Sequence, residues 1–440
     1  MERWSSHIGF ILAAIGAAVG IGNIWRFSAV LGQNGGGAYL IPYFIAVFLF
    51  GLPLMILEIT MGRRFRGTVV SSFGAVRPRF RYIGWLLCAI EFLILSYYLV
   101  ITGWIIAFTI FSATGDTATF SGFTGTYQPV FFAVLAVLLT GVIVSTGVQK
   151  GIERISVIMI PICIIILAIM AGFSVTLPGF SEAMRFLFTP DFSVLTHADL
   201  WIAAFGQAFF SLSVGEGILL TYGSYTEKDQ NIPFAAFIIT VVDTFVALLA
   251  GIVIFPIVFS YGLSPAVGAE LAFTTLPIAF SRMPAGQFFA IAFFMVLFFA
   301  ALTSAVSMLE VCVAAVDGFV GWTRRKTTVV LTGILLCISL LPALSYSALR
   351  LPVFGVPLLD LMDETVGTYG LQVAAFLLAV TFTSFLPSGV FFNELGEATH
   401  QNRIIFFLCK YVIPAALLLA LGVQLLAGIN ISGICGISGT

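Results

Sequence analysis

Residues 16–27 read GAAVGIGNIWRF, in the middle of an apolar stretch that starts near Ile8. Gly16, Gly20 and Gly22 fall near the middle of this stretch, and an arginine stands close to its end. Glycine costs about 1 kcal/mol relative to alanine in a helix interior, and lipid offers no partner to a freed backbone group. The segment therefore predicts a membrane helix that is broken where it lines a cavity, unless its glycines only let neighbouring helices pack closely.

A second segment with the same pattern lies in the other half of the chain. Residues 214–217 read VGEG and repeat the Val-Gly-x-Gly order of residues 19–22, inside an apolar stretch from Leu200 to Ser224. Half-helices that end inside a membrane protein offer N–H groups to an anion and free carbonyls to a cation. Two breaks at matching positions favour an inverted repeat over close packing of helices.

Composition indicates that lipid is the solvent for the whole chain. Of its 440 residues, 60% are hydrophobic and only 9% are charged, where a soluble domain carries roughly 25% charged residues. The net charge of −1 gives no reason to expect a nucleic-acid partner. Neither the six cysteines nor the three histidines form a metal-binding pattern. No nucleophile elbow or phosphate loop is present, so an enzyme is not expected.

Apolar windows of about 20 residues, long enough to cross about 30 Å of hydrocarbon, predict eleven transmembrane helices. They start near Ile8, Ala38, Tyr82, Pro129, Arg154, Leu200, Ile232, Gln287, Lys326, Phe354 and Ile404. With the N-terminus inside, basic residues concentrate on the cytoplasmic side, and the outer loops hold only Arg185, Arg282 and Arg350. The N-terminus is therefore predicted to be cytoplasmic and the C-terminus extracellular or periplasmic.

The predicted fold is an all-α polytopic membrane protein with 11 transmembrane helices. These form a 5+5 inverted repeat whose first and sixth helices are discontinuous. Residues 1–177 make the first half with spans one to five, and residues 178–385 make the second half with spans six to ten. Residues 386–440 hold the eleventh span and the C-terminal tail.

Further motifs follow the first break in a fixed order. They are NGGGA at 34–38, GLPL at 51–54, SYY at 96–98, GQAFFSLS at 206–213, YGSY at 222–225 and FAALTS at 299–304. Together with residues 16–27, they resemble the neurotransmitter:sodium symporter family, especially its bacterial and archaeal amino-acid transporters. The resemblance runs from Trp4 to about Ala427. It implies sodium-coupled import of an amino acid by alternating access across a prokaryotic plasma (inner) membrane.

The resemblance also implies two Na⁺ sites built from oxygen ligands. The first falls on the Ala18 carbonyl, Asn23, Ser211 and Asp243, together with the substrate carboxylate. The second falls on the carbonyls of Gly16, Val19 and Ala300 and on the hydroxyls of Thr303 and Ser304. Ordinary hydrogen bonding between helices would be the simpler explanation for the last two residues if they stood alone.

Asp243 bears on the use of chloride. Chloride-dependent relatives place a chloride near this position, with a serine one turn onward, where this chain has Ala247. A buried carboxylate is costly unless it is paired, and bound Na⁺ would pair it. We therefore expect no chloride, with Asp243 supplying the negative charge.

The substrate pocket is likewise implied by the resemblance. The backbone of Ile21 and Gly22, a sodium ion and the Tyr98 hydroxyl would hold the substrate carboxylate. Carbonyls near Ala18, Phe210 and Ser211 would receive its amine. The substrate side chain would face Ile94, Phe210, Ser213, Glu216, Ser304 and Met308.

Glu216 departs from the apolar residue that is usual in relatives that take leucine or aromatic amino acids. A carboxylate inside a membrane is a functional candidate by default. It can recognise a cationic substrate side chain or a second amine. It can also stay protonated as a donor to a polar substrate or take part in proton coupling. In the third interpretation it bonds only to the protein, away from the substrate.

An arginine at membrane depth needs partners, and this predicts an outer gate. Arg26 is expected to pair with Asp363 and to contact Gln207, above a lid of Phe210 and Tyr98. A purely structural ion pair is the alternative. Glu58 and Glu310 are expected to anchor helices or backbone breaks, and Arg3 or His7 is expected to pair with Asp317 at an inner gate.

A membrane sensor of the same fold, which binds an amino acid without net transport, is the competing function. Both cation sites look intact, which a sensor would not need. A channel is less compatible, because no continuous polar pore is evident. The expected partners are an amino acid and the lipid bilayer, and a homodimer is compatible with the sequence.

Overall fold

The structure is a computed structural model that describes residues 2–116, 118–263, 271–396 and 398–435, with side chains up to residue 424. Its helices, with short turns between them, are α1 His7–Ala18, α2 Gly22–Gln33, α3 Gly36–Phe65, α4 Val69–Val76, α5 Pro78–Thr114, α6 Phe120–Thr124, α7 Gln128–Ser145, α8 Val148–Ser174, α9 Phe180–Phe188, α10 Ala198–Ser211, α11 Ile218–Ser224, α12 Ile232–Ser260, α13 Leu276–Arg282, α14 Gly286–Val320, α15 Arg324–Ser345, α16 Leu358–Ser384, α17 Ser388–Leu395 and α18 His400–Gln424, which continues to Cys435. A two-stranded antiparallel hairpin, β1 Pro352–Val353 and β2 Val356–Pro357, precedes α16.

Nine of the helices in the described ranges are long and apolar enough to cross a membrane. Helices α1 and α2 together make a tenth candidate, bent by 54° at the break between them. Helices α10 and α11 are separated by residues 212–217 and correspond to the remaining predicted span. The all-α membrane class is confirmed, while the count of eleven spans and the division at 177 and 385 stay predictions.

Both helix breaks fall at the repeated Val-Gly-x-Gly motifs. The first interrupts the backbone after Ala18, and the second interrupts it after Ser211. Helix α1 packs against α8, α12 and α14, so the first break lies inside the bundle. Large apolar side chains such as Phe131, Ile165 and Phe245 are exposed on outer helices, where lipid can solvate them.

Glycine allows α11, the short half of the second broken helix, to lie directly against α3. A Cβ atom on Gly62 would stand 2.0 Å from the Leu220 carbonyl oxygen, and one on Gly223 would stand 2.5 Å from the Ile59 carbonyl oxygen. Membrane helices associate through such small residues because lipid gives no hydrophobic force between them. Close packing of α11 on α3 therefore fixes the position of the helix that follows the second break.

Candidate functional site

The second break is held in an unusual backbone conformation. Ser213, Gly215 and Gly217 have φ angles of +50°, +91° and +80°, which glycine adopts at little cost and serine adopts rarely. The Ser213 hydroxyl donates a hydrogen bond of 3.0 Å to the Ala17 carbonyl beside the first break. Glu58 of α3 accepts one of 2.5 Å from the Gly215 N–H. The two breaks therefore lie side by side, and Glu58 anchors one of them as expected.

Three polar side chains meet between the breaks and α12. The Asn23 amide nitrogen lies 2.8 Å from the Ser211 hydroxyl oxygen and 2.6 Å from the Asp243 carboxylate oxygen Oδ1. The Ser211 hydroxyl donates to the other oxygen of Asp243 at 2.9 Å. All three side chains are buried. The structure thus brings together the three side chains predicted for the first Na⁺ site, and Ala18 ends α1 at the adjoining cavity.

A second group of oxygens lies where α14 passes the end of α1. The Ser304 hydroxyl is 3.4 Å from the Gly16 carbonyl and 3.2 Å from the Ala17 carbonyl. The Thr303 hydroxyl donates to the Ala300 carbonyl at 3.1 Å. Val19 follows directly after α1, where the backbone leaves the helical conformation. The residues predicted for the second Na⁺ site therefore surround the end of α1.

A small cavity with a volume of about 10 Å³ lies between the two breaks. Nine of the eleven residues predicted for the substrate pocket line it, together with two that sequence reasoning did not name, Ala17 and Gly20. Ile21 and Ile94 are buried nearby but do not line it. The Ile21 N–H donates to the Tyr98 hydroxyl at 3.5 Å. The lining residues are Ala17, Ala18, Gly20, Gly22, Tyr98, Phe210, Ser211, Ser213, Glu216, Ser304 and Met308.

Glu91 is a buried carboxyl near this cavity that sequence reasoning missed. It is 1% exposed and interacts electrostatically with Glu216 and Glu58. Its position inside α5, two helical turns before Tyr98, was the available signal, because ionisable residues inside membrane spans are rare.

The outer gate differs from expectation. Within the described ranges Arg26 forms no ion pair with Asp363, and its guanidinium lies instead 4.5 Å from the centre of the Phe210 ring. Gln207 donates to the Gly22 carbonyl at 2.9 Å rather than contacting Arg26 through a hydrogen bond. The face of the Phe210 ring attracts the Arg26 guanidinium. The Gly22 carbonyl, which lies at the helix break, accepts the hydrogen bond from the Gln207 amide. The expected pairing of Arg26 with Asp363 is therefore absent from this structure, although Arg26 does cover Phe210.

The N-terminal segment closes the opposite side of the bundle. The Trp4 indole N–H donates to the Tyr222 carbonyl at 3.0 Å, near the end of α11. Arg3 lies 3.9 Å from Glu227, and His7 lies 3.3 Å from Asp229. The expected partner, Asp317, was therefore wrong, because the N-terminal segment packs against the loop after α11.

Glu310 holds a second part of this inner closure. Its carboxylate pairs with Arg324 and accepts a hydrogen bond of 2.7 Å from the Tyr225 hydroxyl. Arg324 also lies 3.6 Å from Glu2. Glu310 thus anchors neighbouring elements, as expected, and links α14 to α15 and to the N-terminal segment.

Comparison with known proteins adds an independent line of evidence. A model described as the sodium:neurotransmitter symporter family matches residues 1–122 and 121–431. The chain belongs to this family. Its members are sodium-coupled membrane transporters of small molecules rather than enzymes, and this chain is a sodium-dependent transporter of that kind.

Relatives within the family match over nearly the whole length. The uncharacterized sodium-dependent transporter YhdH of Bacillus subtilis is 35% identical and covers 95% of this chain and 96% of its own. An uncharacterized sodium-dependent transporter of Haemophilus influenzae is 33% identical, with 95% and 96% covered. The crystal structure of MhsT in complex with L-phenylalanine superposes with a TM-score of 0.88 at 38% identity, over 96% of this chain and 99% of that one.

Proposed function

We propose that this transporter is a symporter that imports an amino acid by coupling it to two sodium ions. The observation that carries the proposal is the buried group of Asn23, Ser211 and Asp243 directly beside the cavity. Hydroxyl and carboxylate oxygens are hard ligands that suit a hard cation. The Asn23 amide oxygen, which accepts a hydrogen bond of 3.0 Å from the Gly20 N–H in this structure, would turn toward the bound ion. Because this group shares Ser211 with the cavity lining, a bound cation would be positioned to contact the substrate.

The first proposed Na⁺ site takes residues from both sides of the first helix break, and the second takes residues from the end of α1 and from α14. Ala18, Asn23, Ser211 and Asp243 would hold the first ion. The second would be held by Gly16, Val19, Ala300, Thr303 and Ser304. The Ser304 hydroxyl already lies near carbonyls of α1, and the Thr303 hydroxyl donates to the Ala300 carbonyl. Binding of cations would fix the broken helix α1 against α12 and α14, which couples sodium to the shape of the cavity.

We further propose that transport needs no chloride. Asp243 is fully buried, and its two carboxylate oxygens accept hydrogen bonds from Asn23 and Ser211. A fixed negative charge at this place balances a sodium ion without a mobile anion.

The substrate would lie in the cavity with its carboxylate toward Gly22 and Tyr98. The related protein MhsT has been solved with L-phenylalanine, which supports an amino acid as the substrate class. Arg26 over Phe210 would close the outer side, and the contacts of Trp4 would close the inner side. In this arrangement the N-terminus would lie in the cytoplasm and the C-terminus outside a prokaryotic membrane, the orientation that the distribution of basic residues favours.

Uptake into proteoliposomes tests the proposal. An inward sodium gradient should drive accumulation of a radiolabelled amino acid, with lysine, leucine and tryptophan tested against potassium and proton gradients as controls. Sodium-dependent binding without accumulation would instead favour the sensor. Accumulation driven equally by potassium would refute sodium coupling.

A further inference from the structure

We infer that the transported amino acid carries a cationic side chain, which Glu216 binds with support from Glu91. This rests on the proposed function and names the substrate class of the same cavity. The inference comes from two carboxyls that are buried beside the cavity without cationic partners.

Glu216 is placed at the cavity by the second helix break. It lies between Gly215 and Gly217, whose left-handed backbone turns this residue toward the lining formed with Ser213 and Met308. Glu216 is 3% exposed, and its Oε2 oxygen has no hydrogen-bond partner among the described residues. A ligand in the cavity is therefore positioned to reach this carboxylate.

Glu91, a residue of α5, is the second buried carboxyl of this region. It precedes Tyr98 by seven positions, so the two share a helix face and lie about 10 Å apart along the axis. Neither carboxylate oxygen of Glu91 has a hydrogen-bond partner in the described part of the chain. It does not line the cavity but lies within electrostatic range of Glu216. It acts as a positioning residue, which makes the region around Glu216 more negative.

Arg26, Arg63 and Arg324 form no ion pair with Glu216 or Glu91 in the described ranges, and Arg26 lies instead over the Phe210 ring. Arg63 is bound to Glu394, and Arg324 is bound to Glu310. Buried carboxylates without a paired charge are unfavourable. A cation that enters the cavity would therefore supply the missing positive charge for Glu216 and reduce its repulsion with Glu91.

An organic cation matches the remaining chemistry. A primary ammonium carries three N–H donors and a guanidinium carries five, which suits carboxylate oxygens that lack donors. Met308 offers an apolar surface for the methylene groups of a long side chain. An amino acid of the lysine or ornithine type has both features, and its carboxylate would lie at Tyr98.

The wild-type protein provides the first test. Sodium-driven uptake of radiolabelled lysine into proteoliposomes is measured in competition with norleucine, which has the same carbon chain but no terminal amine. Lysine should be preferred by about 10- to 100-fold, the worth of a hydrogen bond to a charged group. Sodium-driven uptake of norleucine or leucine that lysine does not inhibit would overturn the inference and leave the symporter intact. No sodium-driven uptake of any amino acid would overturn both.

Three variants then test the assignment of residues. Glu216→Gln should lose most of the preference for lysine over norleucine. Glu91→Gln should reduce the ratio of lysine uptake to norleucine uptake without lowering norleucine uptake itself. Glu182 is an exposed carboxyl on α9, and Glu182→Gln should change neither the preference for lysine nor the uptake of norleucine. Thermal stabilisation by sodium reports whether each variant is folded. If Glu91→Gln lowered lysine and norleucine uptake equally, its role would be structural only, and the assignment would fail.

Discussion

Replacing Asp243 by asparagine should weaken sodium binding by about 10- to 150-fold, while the protein still folds. The substitution keeps the shape of the side chain and removes its charge. Asp243 is fully buried and accepts hydrogen bonds of 2.6 Å from Asn23 and 2.9 Å from Ser211. An asparagine at this position can accept from only one of the two donors, Asn23 or Ser211, and it turns its side-chain nitrogen toward the other donor.

The magnitude follows from this geometry. One of two interactions with a charged oxygen is lost outright, and the other becomes an interaction with a neutral oxygen. An interaction with a charged group contributes about 1.5–3 kcal/mol, which corresponds to the stated range of binding constants. Because the sodium ion would share these oxygens, the loss should fall on sodium affinity before it falls on stability.

The assay is the sodium concentration that gives half-maximal uptake in proteoliposomes. Asp243→Asn should move it upward by at least tenfold, which is about 1.4 kcal/mol. Asp116→Asn, the same chemical change at an exposed position after α5, should leave it unchanged. An unaltered sodium dependence in Asp243→Asn would refute the assignment of this carboxylate to a sodium site.

Three further predictions concern chloride, packing and the inner closure. Replacing chloride by gluconate should leave sodium-driven uptake unchanged, and abolished uptake would end the proposal of chloride independence. Gly62→Ala should lower the free energy of unfolding by about 1–3 kcal/mol, because its Cβ would lie 2.0 Å from the Leu220 carbonyl oxygen. A thermal melt measures the change. Gly333→Ala is the control, because nothing lies within 4 Å of a Cβ atom at that position. Trp4→Phe removes the donor to the Tyr222 carbonyl, worth about 0.5–1.5 kcal/mol, so hydrogen exchange of residues 5–12 should become faster; unchanged exchange would show that this bond does not hold the segment.

Local sequence was sufficient for the helix breaks and for the grouping of oxygen donors. The glycines at 20, 22, 215 and 217 act through the backbone of their own segment, so a short motif contains the necessary information. The meeting of Asn23 with Asp243 could be predicted because the resemblance supplied the arrangement of the helices. Composition and span lengths were enough for the all-α membrane class.

Partner choice between distant segments was beyond the sequence. Arg26 had both an aromatic ring and a carboxylate as candidate partners, and the distance between helices determines which one it meets. The centre of the Phe210 ring lies 4.5 Å from the Arg26 guanidinium, while no ion pair with Asp363 forms in the described chain. Arg3 and His7 likewise meet Glu227 and Asp229 because of where the loop after α11 runs. Glu91 was overlooked because it belongs to none of the motifs that were matched.

The attachment of Trp4 to the Tyr222 carbonyl also affects how this protein should be engineered. An affinity tag or fluorescent protein fused just ahead of Glu2 would crowd the contact between Glu2 and Arg324 and pull on the indole two residues further along. Purification handles therefore belong after α18. A small spectroscopic label near Trp4, by contrast, would report directly on whether the contact between Trp4 and Tyr222 is formed.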